Sequence, residues 1–279
     1  MQLNDGSIIN TSQNQYLGLM EDNLPLILIT NDDGITAPGI RTLVECVMHL
    51  GRVVVVAPDS PQSGMSHAVT FTKPLWLKTS DEFKDLDIEA YACSGTPADC
   101  VKLAKDQIFH RTPDFCFSGI NHGSNASVNI LYSGTMSAAT EAAIEGIPSI
   151  GFSLCDHSWE ADFNASRSII THLAENLVEH SLPEYTLLNV NIPKGSEVKG
   201  MKVCRQARAK WVERYDKRTD PYGRTYFWLT GEFVNLDSGG GTDEDYLAEG
   251  YASIVPVQFD LTSKECTDFI NKHWLWDEN

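Results

Sequence analysis

Residues 26–40, LILITNDDGITAPGI, constrain the fold of this chain more than any other stretch. An unbroken aliphatic run from Leu26 to Ile29 ends at Thr30, and Asn31, Asp32, Asp33 and Gly34 follow. Beyond Pro38, apolar residues recur at Ile40, Leu43, Val44 and Val47, the spacing of a helix with one buried face. The pattern predicts a buried strand, an acidic turn and a helix whose early Pro sits where a missing N–H costs least. A second aliphatic run, RVVVVAP at 52–58, completes a strand–helix–strand unit and hence a parallel pair. In open α/β sheets ligands bind at the carboxyl ends of such strands. Two adjacent carboxylates placed there repel each other, and a divalent cation is the usual remedy.

The rhythm continues. Strands are expected over 68–78 and 88–92, a pair resembling a hairpin. CSGTP at 93–97 is a turn in which Thr96 and Asp99 form a capping box with Pro97 at the first helical position. DFCFS at 114–118 is a strand that runs into GINHGSN, a turn dense in glycine and amide groups. A helix with a small-residue face (Ala138, Ala139, Ala142, Ala143) opens near Ser133, Gly134 and Thr135. A strand at 148–154, a long helix at 162–180 and a strand at 186–192 follow. The fold class is therefore α/β: a Rossmann-like three-layer sandwich with a mostly parallel sheet. From 199 onward the rhythm changes. Segments 201–207 and 224–230 read as a protruding aromatic β-hairpin at about 200–230, suited to a subunit contact. The glycine-rich acidic stretch 238–245 is expected to be mobile, with Asp243 either closing over the site or lying on a flexible surface. A last strand at 251–259 precedes a C-terminal helix at 263–274. Residues 1–24 read as a flexible N-terminal extension, and 25–279 as a single domain.

The 279 residues carry a net charge of −17, which disfavours a nucleic-acid polymer or an anionic membrane surface as partner. A small phosphate remains compatible, because helix starts and a cation set the local field. Seven scattered cysteines without a CxxC pair exclude zinc-finger and thioredoxin readings and suit buried thiols in the cytoplasm. Residues 1–24 show no basic region followed by an apolar core, and no apolar run reaches membrane-spanning length.

Four loops leave carboxyl ends of the expected strands and offer Asp32, Asp33, Ser63, Ser66, Thr96, Asn121 and Asn125. These are hard oxygen donors, suited to Mg²⁺, Mn²⁺ or Ca²⁺ rather than zinc. Glycines and helix starts beside them suit an anion. Phosphate chemistry needs this combination. His67 and His122 lie on the same loops and are candidates for protonating a leaving oxygen. A receiver module would need a strand-end Lys after Ser153, a zinc deacetylase a His before the Asp pair, and a dehydrogenase GxGxxG after the first strand; none of these is present. A noncatalytic nucleotide sensor is the alternative from outside the enzymes.

The segments NDDG-ITAPGI, VVAPDSPQSGMSHAVT, SGTPADCV, SGINHGSN and YSGTMSAA, in this order and spacing, resemble the SurE family, strongly over about 25–155 and less so in the last third. That resemblance implies a survival protein with metal-dependent 5′-nucleotidase activity on nucleoside 5′-monophosphates, with 3′-nucleotides and short polyphosphate as further candidates. It implies one divalent cation per subunit, Mg²⁺ or Mn²⁺, held by Asp32, Asp33, Ser63 and Asn121. For that reaction the loop chemistry makes Asp32, Asp33 and Asn125 the catalytic candidates, and Gly95, Thr96, Ser133, Gly134 and Thr135 the phosphate-binding ones. A homodimer or homotetramer exchanging a C-terminal element is also implied. The segment 126–131 departs from the family pattern in lacking acidic residues.

Overall fold

The computed structural model describes residues 24–195 and 197–275; the extension expected at 1–24 lies, apart from Leu24, outside the described residues. The expected first unit forms as β1 (Leu26–Thr30), α1 (Pro38–Val47) and β2 (Arg52–Pro58). Then come β3 (Leu77–Thr79), β4 (Glu89–Cys93), α2 (Pro97–Leu103), β5 (Phe115–His122), α3 (Gly134–Ile144), β6 (Ser149–Leu154), α4 (Asn164–Glu179) and β7 (Thr186–Ile192). The C-terminal third adds β8 (Met201–Val203), β9 (Ala209–Thr219), β10 (Thr225–Asn235), α5 (Asp243–Ala248), β11 (Ala252–Gln258) and α6 (Lys264–His273).

One nine-stranded sheet runs in the order β3-β4-β2-β1-β5-β6-β7-β11-β8. The six strands from β4 to β7 are parallel; β3 and β11 join antiparallel. β1 is buried on both faces, which explains its unbroken aliphatic sequence. Ile27 and Ile29 face α1 and α4, packing with Ile40, Val44, Ile170 and Ala174. Leu28, with Val54 and Val56, faces α2 and α3 through Val101, Ala138 and Ala142. Each such buried side chain contributes about 1.5–3 kcal/mol by leaving water. The alanines let α3 sit close to the sheet. The expected three-layer architecture is thus observed.

From β1 the chain builds outward through β2 and β4, then crosses back to build β5, β6 and β7 on the other side. The reversal opens a crevice between the carboxyl ends of β1 and β5, where such folds bind ligands.

Three local expectations are corrected. Of 68–78 only Leu77–Thr79 is a strand; Thr70 instead hands its backbone N–H and hydroxyl to Asp99, and Ala68 O accepts from Thr96 Oγ1. Segment 201–207 is not a hairpin arm: Met201–Val203 extends the main sheet parallel to β11. The hairpin is β9 with β10, paired from Ala209↔Asn235 to Thr219↔Thr225. Finally, 242–245 is not mobile surface. Thr242 caps α5 in a reciprocal box with Asp245, and Asp243 is fully buried.

Candidate active site

The turn after β1 is closed by its own side chain: Asn31 Nδ2 donates to Gly34 O and Asn31 Oδ1 accepts from Gly34 N. Gly34 sits at φ 100°, backbone that favours glycine. This lock sends Asp32 and Asp33 into the crevice. Asp32 is buried, and its Oδ1 accepts from the Thr135 hydroxyl at 2.5 Å. Burial first, and then the neighbouring Asp33 charge, push the Asp32 carboxyl up to about 6 from 3.8. Asp33 Oδ2 accepts from the backbone N–H of His122 at 3.0 Å and faces His122 Nδ1 at 2.9 Å.

β5 bulges between Ser118 and Asn121, which re-aims Asn121 at the crevice. Asn121 Nδ2 donates to Gly123 O at 2.8 Å, so its carbonyl oxygen is the atom left over. Ser63 is carried by the loop after β2. That loop is fastened through Gln62 N to Asp32 O, Ser66 N to Tyr132 O, and the Ser137 hydroxyl to Ser66 O. His67 Nε2 lies 2.8 Å from Glu141 Oε2, while Glu141 Oε1 takes Lys102 Nζ at 2.5 Å, so His67 pins the loop to α3.

One cavity of about 490 Å³ collects Asp32, Ser63, Asn121, Asn125 and Ser133, with His122 beside them. Asp33 is bonded to His122, which lines the cavity. Asp32 Oδ2, Asp33 Oδ1, Ser63 Oγ and Asn121 Oδ1 have no hydrogen-bond partner among the described residues. Four unpartnered oxygens around a crowded pair of carboxylates fit a hard divalent cation.

The five expected phosphate contacts divide. Ser133 caps α3, accepting from Met136 N, and keeps its own proton to donate. Gly134 and Thr135 begin that helix, where backbone N–H groups and the helix dipole favour an anion. The Thr135 hydroxyl itself is committed to Asp32. Gly95 and Thr96 line a separate depression with Met65, Val69 and Phe71. The Thr96 hydroxyl is spent on Ala68 O and Asp99 N.

Asn125 is held on three sides. Its N–H donates to Asn191 Oδ1, its carbonyl accepts from Asn189 Nδ2, and its Nδ2 donates to Ser153 Oγ. Asn189 and Asn191 are not among the residues the sequence singles out; the signal was two amides at alternate positions of a buried strand, LLNVNI, on one face. Asp243 is the other supporting residue. Its carboxylate accepts from Ser127 N at 2.7 Å and Ala207 N at 2.8 Å, tying the rim after Asn125 to the C-terminal excursion.

A doubly wound α/β sheet with clustered oxygen donors and a helix start at its switch point is the architecture of a phosphate-handling class of protein. The sequence pattern described as Survival protein SurE matches residues 27–213, and the chain belongs to the SurE family. A protein of Christiangramia forsetii named 5′-nucleotidase SurE is 61% identical over 93% of this chain and 100% of its own length. One of the same name from Flavobacterium psychrophilum is 55% identical over 91% of this chain and 98% of its own. The crystal structure of the SurE protein from Aquifex aeolicus superposes with a TM-score of 0.76 at 40% identity, covering 89% of this chain and 99% of that one.

Proposed function

We infer that this chain is a 5′-nucleotidase that hydrolyses nucleoside 5′-monophosphates to nucleoside and phosphate. The observation that carries the reading is one cavity lined by Asp32, Ser63 and Asn121 together with Ser133, the cap of α3, with Asp33 next to Asp32. The names of the relatives support the same activity.

A divalent cation, Mg²⁺ or Mn²⁺, would be held by those four residues and supplies Lewis-acid neutralisation of phosphoryl charge and activation of water. The chain's own residues position the substrate and stabilise its charge, and these two effects dominate the catalysis of phosphoryl transfer. Ser133 Oγ and the N–H groups of Gly134 and Thr135 hold phosphate oxygens at the helix start. Thr135 Oγ1 fixes which oxygen of Asp32 faces the cavity. Asn125 keeps Oδ1 free of partners, and in the cavity that atom accepts a hydrogen bond from a water aligned on phosphorus. Gly95 and Thr96 take no part in this arrangement.

The exposed aromatics Tyr215, Phe227 and Trp228 on the hairpin support assembly into a homodimer or homotetramer. All seven thiols are free, four of them buried, which supports a reducing cytoplasm. No helix among the described residues is long and apolar enough to cross a membrane.

Phosphate release from a panel of 5′-mononucleotides, with Mn²⁺ and after chelation, tests the reading. Release is expected only with metal and is lost in Asp32→Asn. Tight nucleotide binding without turnover would support the sensor instead.

A further inference from the structure

The cavity that begins at Asp32, Ser63 and Asn121 extends to a second wall made by Trp211, Phe233 and Glu244. Its volume of about 490 Å³ lies within the roughly 300–1,000 Å³ usual for small-ligand sites. Trp211 and Phe233 face each other across β9 and β10, edge to face with ring centroids 5.6 Å apart. The Trp211 indole N–H donates to Asn129 Oδ1 at 2.8 Å, so the ring is oriented before any ligand arrives.

Glu244 is half-buried beside them. Its backbone N–H is taken by Asp243 Oδ1. Its carboxylate has neither a hydrogen-bond donor nor a paired cation among the described residues. Burial, and then the charges of Asp243 and Asp245, push that carboxyl up to about 6. A carboxylate in this setting lacks donors, and burial makes the lack costly.

We propose that this wall is the nucleoside end of the cavity and that Glu244 reads the ribose diol, its two oxygens accepting from the 2′- and 3′-hydroxyls while the phosphate lies at the Asp32 end. The inference rests on the 5′-nucleotidase reading. A vicinal diol presents two O–H donors side by side, and a carboxylate presents two matching acceptors; charge makes such bonds about twice as strong as neutral ones. The negative charge of Glu244 also sorts the substrate end for end, because it repels phosphate from its own wall. A 3′-nucleotide has no free diol to offer in either orientation. The aromatic pair meets the base through ring surface alone, which every base presents. Sugar discrimination is therefore strong and base discrimination weak.

The test compares kcat/KM for AMP, dAMP and 3′-AMP in the wild type and in Glu244→Ala, together with calorimetric binding of adenosine and 2′-deoxyadenosine. The wild type is expected to prefer AMP over dAMP by roughly tenfold or more, the worth of one hydrogen bond to a charged group. In Glu244→Ala the ratio falls to about two or less, through KM. A purely structural role would lower both substrates alike and leave the ratio intact. A wild type indifferent to the 2′-hydroxyl, or a Glu244→Ala variant that keeps the preference, overturns the assignment. If no mononucleotide is hydrolysed, the nucleotidase reading fails, and the adenosine to 2′-deoxyadenosine binding ratio still decides the role of Glu244.

Discussion

Asp33 and His122 meet twice through one oxygen: the backbone N–H and the ring Nδ1 of His122 both address Asp33 Oδ2, at 3.0 and 2.9 Å. The imidazole is clamped in turn, stacked on Trp159 at 5.5 Å and edge-on to Phe163 at 5.2 Å. Its Nε2 is buried with no partner among the described residues. A ring so fixed braces the Asp33 carboxylate through Oδ2. His67, the other histidine candidate, is engaged by Glu141.

Replacing the brace while keeping the stack isolates its role. His122→Phe retains the ring against Trp159 and removes Nδ1. Groups that orient a metal ligand through a hydrogen bond are worth about 10–100-fold in affinity. Calorimetric titration of His122→Phe with Mn²⁺ is expected to give a dissociation constant raised by about that factor, with kcat at saturating metal much less affected. An unchanged affinity would mean that the backbone N–H alone positions Asp33.

The Asp32 carboxyl sets function against stability. Its folded pKa of about 6 lies above the ordinary 3.8, so the metal-free fold prefers the neutral acid. Below pH 3.8 the group is neutral folded or unfolded and contributes no penalty; the penalty grows as pH rises and is complete above about 6. A shift of this size corresponds to roughly 3 kcal/mol. Asp32→Asn is therefore expected to raise the melting temperature of the chelated protein at about pH 7.5. The gain should shrink toward zero near pH 4, while the variant loses activity. Metal binding should release close to one proton at about pH 5, seen as a buffer-dependent heat. A variant melting no higher than wild type at about pH 7.5 would show that the pair is relaxed without metal.

The parts of the fold legible in the sequence are those where burial writes a pattern. β1 and β2 are unbroken aliphatic runs because both faces are covered, and the capping box at Thr96 is a local signal that the structure reproduces. β9 carries no such pattern: KWVERYDKR is largely solvent-exposed on both faces, so alternation has nothing to report. Segment 68–78 has the β-branched composition of a strand, but Thr70 satisfies its backbone on Asp99 instead of a ladder. Among the candidate site residues, Asp32, Asn121 and Asn125 stand out by chemistry on loops, whereas Ser63 is singled out by the family resemblance. Thr135 reaches Asp32 across 103 positions, and Asn189 reaches Asn125 across 64. Partnerships of that kind exist only after folding.

Asp243 illustrates a role that composition hid. Embedded in SGGGTDED it reads as surface, yet it is fully buried and accepts backbone N–H groups from Ser127, Ala207 and Glu244. Asp243→Ala strands those donors away from water. Each hydrogen bond to a charged group is worth about 1.5–3 kcal/mol. Urea unfolding of the variant is expected to show a loss of at least about 3 kcal/mol, and chymotrypsin should cut the rim after Asn125, at Leu131 or Tyr132, sooner than in the wild type. A loss under about 1 kcal/mol would mean that water replaces the carboxylate.

Gly134 is the point where α3 passes closest to the Asp32 side chain. A Cβ added there would stand 2.6 Å from Asp32 Cβ and 2.9 Å from Oδ2. Neither side can yield cheaply: Asp32 is held by Thr135 and by its buried turn, and the helix start is held by the Ser133 cap. Gly134→Ala must therefore displace the carboxylate, the N–H groups proposed to hold phosphate, or both. Misplacement by about 1 Å can cost about 10²-fold in rate. Gly134→Ala is expected to lower kcat/KM by about that factor or more. Alanine is the better helix former only in helix interiors, and Gly134 is the first residue of α3, so the overlap is expected to lower the melting temperature as well. The check is steady-state kinetics on a 5′-mononucleotide beside a thermal melt. Near-normal kinetics would show that Asp32 has room to move, and would remove the close approach as the reason for glycine at this position.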